Sequence, residues 1–410
     1  MTPPPTRTLI RNARLLTMGP TPGPRRGADL GRLHALDRAS LLLHGGVIEA
    51  IGDDLSPPPD AVLIEARGRV VMPAFVDAHT HACWAGDRLD EWERKQQGAT
   101  YLELLQAGGG IMSTVRSVRA ASEEQLARDL SERLGVMLAE GAAHVEVKSG
   151  YGLTTRDELK MLRAISRSAQ TFPGTLHLTA CIGHAKDPDQ PGFVETTLHE
   201  TLDAVHAEFP EAVIDAYCEQ GAWSLNECLR LFDRALELGH RVRVHADQFN
   251  DLGMIPEAIR RSFLSVDHLE ATVPESLRAL GESETFGVML PCSGFHVDGR
   301  YADGRGFLDA GGKLVLATNA NPGSAPCLSM PMAIALAVRH LGLTAAQAIG
   351  AATANGAALL GLEDRGHLAP GRPADLVLLR HTDERQLGYE FGGRHIDCVI
   401  VGGRVVSGSP

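Results

Sequence analysis

No two cysteines in this chain are spaced C-x-x-C, no apolar run is long enough to span a bilayer, and basic side chains are outnumbered by acidic ones. Each shortage excludes a class of protein. The seven cysteines (Cys83, Cys181, Cys218, Cys228, Cys292, Cys327 and Cys398) are odd in number and scattered. That argues against a disulfide framework or a zinc ribbon and for packed, reduced thiols in a cytosol. Met1 to Met18 holds prolines and arginines but no sustained apolar core, so it does not read as a signal peptide. The most apolar later stretch, Leu328 to Val338, is too short for a membrane span and contains Pro331. With 39 basic against 51 acidic side chains and a formal charge of −12, nucleic acid and anionic membranes are poor partners. A small anionic substrate would have to be captured by a local cation. The expectation is a soluble, cytoplasmic protein.

What is present is ordinary globular composition, 44% apolar and 22% charged over 410 residues. At roughly 100–200 residues per domain, that length suits two or three domains, or one α/β barrel with an appendage. Both ends read as β-structure. Leu41 to Gly52 has β-prone runs flanking Gly45-Gly46, a hairpin pattern, while Met18 to Arg38 reads as an exposed loop. Ala374–Leu379 and Cys398–Val406 are again strand-like. Between the ends, apolar runs alternate with amphipathic helical stretches such as Glu123 to Glu140, which implies βα units around a parallel sheet. Eight strands are expected to begin near Val70, His144, Leu176, Val213, Val242, Leu264, Phe286 and Leu314. The expected fold class is α/β. A (β/α)8 TIM-type barrel over 69–364 would carry a small β-sandwich domain composed of 1–68 and 365–410.

The expected strand ends share a chemistry. They carry Asp77-Ala78-His79-Thr80-His81, Glu146-Val147-Lys148, Gly183-His184, Cys218-Glu219, Val244-His245, Asp267-His268 and Thr318-Asn319. The strand C-termini form the active-site mouth of such a barrel. Side chains at i and i+2 of an extended chain point the same way, so His79 and His81 can reach one ion. With His245 and a polar residue closing the eighth strand, three nitrogen donors and one oxygen donor suit zinc or iron in a hydrolytic site. His268 can shuttle a proton. Gly108 to Gly110 looks like a phosphate cradle, but no P-loop spacing follows, so a turn or a close backbone approach is expected.

This pattern resembles the amidohydrolase superfamily of metal-dependent hydrolases. The flanks agree: Gly68–Asp77 runs into the H-x-H, and Gly366–Asp375 leaves the barrel for the β domain. Further stretches are similar to the branch of that superfamily that opens 4-imidazolone-5-propanoate to N-formimidoyl-L-glutamate in histidine degradation. These are Ala85-Gly86-Asp87-Arg88, Gly108–Val115, Lys148–Leu153, His245-Ala246-Asp247-Gln248, Val266-Asp267-His268 and Asn321-Pro322-Gly323-Ser324. The resemblance implies one divalent metal, zinc or iron, held by His79, His81, His245 and position 319. It implies His268, position 319 and Gln248 as catalytic residues. Substrate contacts would come from Arg88, Tyr151, His184, Gln248, Asn321, Gly323 and Ser324, and the assembly would be a homodimer.

The residues carry those roles on chemical grounds too. Arg88 offers a planar fork for a propionate carboxylate, with a surface salt bridge as its competing use. Tyr151 and His184 can hydrogen-bond a polar heterocycle, or else pack as satisfied core residues. Asn321 to Ser324 can present amide and backbone donors, or form an ordinary Pro-Gly turn.

Three positions qualify the resemblance. The superfamily has Asp where this chain has Asn319; Asn can offer a neutral oxygen to an ion but cannot take a proton near neutral pH. Impaired catalysis on an intact scaffold is expected. It would arise from a substitution that traps substrate, a natural variant working through His268, or a chain that has lost activity. Gln248 stands where some relatives have Glu, and can only hydrogen-bond. Lys148 lies where some superfamily members carry a carboxylated lysine bridging two metals; here an unmodified lysine and one metal are expected. Two further functions stay open: another cyclic amidohydrolase or deaminase of the superfamily, and a catalytically silent ligand-binding homologue.

Overall fold

The computed structural model describes residues 7–19, 23–98 and 109–410. Five strands precede the barrel: β1 (Arg7–Leu16), β2 (Ala35–His44), β3 (Val47–Gly52), β4 (Ala61–Glu65) and β5 (Val70–Pro73). The barrel follows with β6 (Phe75–Asp77), β7 (Ala142–Lys148), β8 (Thr175–Gly183) and β9 (Val213–Cys218). It continues with β10 (Val244–Ala246), β11 (Ser265–His268), β12 (Phe286–Met289) and β13 (Leu314–Leu316). Three last strands are β14 (Leu376–Leu379), β15 (Ile396–Val401) and β16 (Arg404–Gly408).

The terminal segments build one eight-stranded sheet in the order β16-β15-β14-β5-β1-β2-β3, with β4 also paired to β1. The β-sandwich expected of these segments thus takes the form of one continuous hydrogen-bonded path. It has its own apolar core, including Ile10, Leu15, Leu41, Ile48, Leu376 and Ile400. The hairpin turn falls at Gly45 and Gly46, with φ of 61° and 89°. Two successive left-handed residues are what a type I′ turn requires, and glycine accepts them without a Cβ clash.

Two expectations need correction. The apolar run Val70–Val76 is two strands, since Val71 and Met72 pair with β14 while Phe75–Asp77 pairs with β7. Pro73, which has no N–H to donate, ends the first of them, and Ala74 turns the chain between the sheets. Met18–Arg38 is not simply an exposed loop. Residues 20–22 lie outside the described residues, but Met18 and Leu30 are fully buried. Gly27–Gly31 is a 3-10 turn against the helix Ala345–Ala351, and β2 starts at Ala35.

The eight barrel strands run parallel in sequence order from β6 to β13. Closure is made by a bridge between Thr80 and Ala320, with His81 N donating to Ala320 O at 2.9 Å and Asn319 N to His79 O at 3.1 Å. Alternation along β7 sends Val145 and Val147 outward into the main apolar core, and Glu146 and Lys148 into the lumen. Helices Glu123–Ala139 and Thr155–Ala169 cover that outer face, each started by a side-chain cap from Ser122 or Thr154. Among the described residues no helix is long and apolar enough to cross a membrane.

Candidate active site

The lumen is charged where a barrel of this type is usually filled by branched apolar layers. Lys148 Nζ donates to Glu146 Oε1 at 2.7 Å and to Asp215 Oδ2 at 2.8 Å. Arg243 donates through Nε to Asp267 Oδ2 at 3.1 Å, and its Nη2 closes the same pair. These five groups are all essentially inaccessible to solvent. Burial and Arg243 would strip Lys148 of its proton, but Asp215, Glu146 and Asp267 outweigh them and raise its pKa. Burial pushes Asp215 up, yet His245, Lys148 and Arg243 hold its carboxyl well below the usual range. Three carboxylates against two cations leave the lumen with a surplus negative charge directly beneath the histidines.

Two of those carboxylates orient imidazoles at the mouth. Asp267 Oδ2 accepts from His79 Nδ1 at 2.5 Å, and Asp215 Oδ1 from His245 Nδ1 at 3.0 Å. Each fixes a tautomer whose Nε2 lone pair points away from the carboxylate. His79 Nε2 has no hydrogen-bond partner, and His245 Nε2 faces His81 Nε2 at 3.0 Å. Burial, ahead of the neighbouring cations, keeps the pKa of His79 and of His81 well below the ordinary histidine value. Neutral imidazoles with converging lone pairs are metal ligands in waiting.

His79, His245 and His268 each offer a ligand atom within 4.8 Å of the others, and His81 adjoins the group through His245. Asn319 Oδ1 is buried and unpartnered beside them. The orphaned nitrogen and oxygen, the facing imidazoles and the negative lumen all fit a divalent cation. A second group of donors, Cys181, Asp215 and His245, fits one poorly: burial pushes the Cys181 thiol far up, and Asp215 is already paired with Lys148.

The mouth opens into a cavity of about 730 Å³. Every sequence-expected site residue except the deeper His79 lines it, from His81, Arg88 and Tyr151 round to Asn321, Gly323 and Ser324. His184 Nδ1 bonds Gly150 O at 3.0 Å, and its ring stacks on His81 with centroids 4.6 Å apart. Burial draws the His184 pKa down to about 3 and pushes the Tyr151 phenol up, so both stay neutral. Gln248 Oε1 accepts from Tyr217 Oη at 2.8 Å.

Arg88 makes the salt bridge expected as its competing use and still lines the cavity. Nε and Nη2 pair with Glu91 three residues on, and Glu91 in turn accepts from Gly110 N at 3.1 Å. Nη1 faces Gly323, where an added Cβ would come within 3.1 Å of it. The bare backbone at 323 lets the guanidinium close on the loop. Asn321 is spent inside that loop: Oδ1 accepts from Gly323 N at 2.8 Å and Ser324 N at 2.7 Å, and Nδ2 donates to Asn319 O at 2.7 Å. Gly110 has φ of 75° and begins the helix Ile111–Ala120, so it serves as a turn. Gly108 lies outside the described residues.

Sequence reasoning missed Asp215, Glu270 and Tyr217. Glu270 Oε1 lies 3.2 Å from His268 Nδ1, and its other oxygen is buried without a partner. Asp215 shares a strand face with Tyr217, a register that turns both toward the site.

Comparison with known proteins agrees with this geometry. The sequence profile of the amidohydrolase family matches residues 70–406. The imidazolonepropionase of Herpetosiphon aurantiacus is 45% identical, over 97% of this chain and 96% of that one. The imidazolonepropionase of Deinococcus radiodurans is 42% identical, over 94% and 96%. The fold is shared with 5-methylcytosine deaminase from Klebsiella pneumoniae, at TM-score 0.76 and 19% identity over 98% of both chains. It is shared also with E. coli guanine deaminase, at TM-score 0.72 and 16% identity over 99% of this chain and 100% of that one. The chain therefore belongs to the amidohydrolase family of metal-dependent hydrolases and, within it, to the imidazolonepropionases.

Proposed function

We propose that the chain hydrolyses 4-imidazolone-5-propanoate to N-formimidoyl-L-glutamate in histidine degradation, at a rate limited by Asn319. The observation that carries this reading is the placement of Arg88 and of His81, His245 and His268 around one cavity. Water oxygen adds to the ring carbonyl carbon, the carbon–nitrogen bond of the cyclic amide breaks, and the freed nitrogen takes up the proton that water gave. The cradle is His79, His81, His245 and Asn319 Oδ1, for one ion, zinc or iron. The chemistry such an ion supplies when bound is Lewis-acid: it lowers the pKa of water and polarises a carbonyl.

The chain's own residues do the rest. Arg88 Nη1 holds the propionate carboxylate, and Glu91 keeps the guanidinium in place. Tyr151 donates to the polar ring, and His184 accepts from it at Nε2 because its Nδ1–H is given to Gly150 O. Gln248 fixes its far side through its bond to Tyr217. The turn at Gly323 and Ser324, whose backbone N–H groups are held by Asn321 Oδ1, offers the Ser324 hydroxyl. Asn321 positions that loop. His268, with Nδ1 anchored on Glu270, takes the proton of water at Nε2 and returns it to the leaving nitrogen. Asn319 cannot share that task, because its amide does not accept a proton near neutral pH. Lys148 stays unmodified, its ammonium already held by two carboxylates. The reading includes a cytoplasmic location, supported by seven unpaired thiols, and a homodimer by likeness to the family.

The test measures metal content together with turnover of imidazolonepropionate, cytosine and guanine, for the unaltered chain and for Asn319→Asp. Hydrolysis of imidazolonepropionate alone is expected. An Asp form that holds metal yet leaves this substrate untouched would overturn the assignment.

A further inference from the structure

A third group of donors lies outside the barrel mouth, where His381, Glu390 and His395 each bring one ligand atom within 4.8 Å of the others. His381 follows β14 and His395 precedes β15, two antiparallel neighbours in register at Leu379 and Ile396. The bond from Arg380 N to His395 O, at 2.9 Å, sets the two imidazoles side by side. Glu390 closes the short helix Gln386–Tyr389 that lies between them in sequence. His381 Nε2 and His395 Nδ1 are 3.2 Å apart, and Glu390 Oε2 is 3.9 Å from His381 Nε2.

Donors bound to one tetrahedral ion at about 2.0–2.1 Å stand roughly 3.3 Å from one another. The imidazole pair already has that spacing, and the carboxylate stands at 3.9 Å from His381 Nε2 and within 4.8 Å of the His395 donor. An imidazole–imidazole hydrogen bond would also account for the close nitrogens, but it gives the converging carboxylate nothing to do. His395 is buried while His381 and Glu390 are 18% and 44% exposed, so an ion can enter from solvent and keep water in its remaining position.

We propose that His381, Glu390 and His395 form a second, peripheral metal site for a late first-row divalent cation such as Zn2+. Two imidazoles and one carboxylate match the borderline softness of that ion. The ion ties the segment between β14 and β15 to the sheet. That segment docks on the helix Met330–His340, where Arg339 Nη1 donates to Gly388 O and Nη2 to Tyr389 O, each at 2.7 Å. The site is thus a staple on the helix that follows the Asn319–Ser324 loop, and it takes no part in the hydrolysis.

The test uses the full chain with its barrel site already loaded, titrated with Zn2+ alone by calorimetry and by elemental analysis after gel filtration. One further equivalent per chain is expected. It should vanish in His381→Gln, weaken at least tenfold in Glu390→Gln, and persist in His245→Ala, which loses the barrel ion instead. Added Zn2+ should raise the thermal midpoint of the unaltered chain and leave that of His381→Gln unmoved. No further equivalent in the unaltered chain, or one that survives undiminished in both His381→Gln and Glu390→Gln, overturns the proposal. Because both altered side chains are partly exposed, a loss of binding in them is not a loss of fold.

Discussion

Asp215 divides its carboxylate between two jobs, with Oδ1 3.0 Å from His245 Nδ1 and Oδ2 2.8 Å from Lys148 Nζ. The first contact fixes the imidazole tautomer, and the second keeps the carboxylate charged in a buried setting. Asp215→Asn keeps the shape and removes the charge. Metal affinity should fall about 10- to 100-fold, the usual effect of losing such a partner. Competition with a chelator measures it, and an unchanged affinity would show that His245 needs no orienting anion.

Asn319→Asp restores a charged oxygen donor and a proton acceptor in one step. Metal affinity should rise, and kcat should rise about 100-fold or more, the low end of what a positioned base contributes. If the unaltered chain already turns over as fast as the Asp form, Asn319 is not the limiting residue.

Arg88→Ala removes a charge-assisted hydrogen bond of about 2 kcal/mol, which corresponds to a roughly 30-fold rise in KM. The carboxylate lies away from the reacting carbonyl, so kcat should change much less. A substrate analogue lacking the propionate should not distinguish the variant from the unaltered chain. A fall in kcat with KM unmoved would place Arg88 elsewhere in the reaction.

His268→Ala should lower kcat by about 10²- to 10⁴-fold while the bound metal stays. Glu270→Gln should lower it less, since the imidazole remains but loses its anchor. Elemental analysis beside rate measurements separates this outcome from metal loss, in which His268 would prove to be a ligand rather than a proton carrier.

Acid should destabilise the fold before most carboxylates titrate. Burial draws His144 down to about 4, with Asp375 opposing only in part, and burial likewise draws His177 to about 4. Unfolding returns each to about 6.5. Between those values the unfolded chain binds more protons, so stability is full above about pH 6.5 and falls as pH drops towards 4. The slope is up to about 1.4 kcal/mol per pH unit for each histidine. Denaturant midpoints across that range check it, and His177→Gln should flatten the slope by one proton's share.

The parts of this site that were legible in the sequence are those whose spacing carries its own geometry. His79-x-His81 after an apolar run announces two parallel side chains, and His245, His268 and Asn319 stand at ends of recognisable strands. Asp215 and Glu270 were not legible, because a lone carboxylate near a strand acquires its role only from a partner 30 residues away, or from a backbone twist. His268 has φ of 92° and Leu269 of 74°, a turn that brings Glu270 back under the ring. The split at Pro73 was hidden for a related reason. An apolar run of seven residues reads alike whether one sheet or two receive it, and only the pairing of Val71 with β1 and of Phe75 with β7 divides it.

The barrel closes where Asp77 accepts from Thr318 N at 3.0 Å and from Thr318 Oγ1 at 2.6 Å, across 241 residues of chain. The same seam joins His79 and His81 on one side to Asn319 on the other. The eighth strand must therefore be in place before position 319 joins the histidines of the first, so that grouping belongs to the completed barrel and to no shorter stretch of the chain.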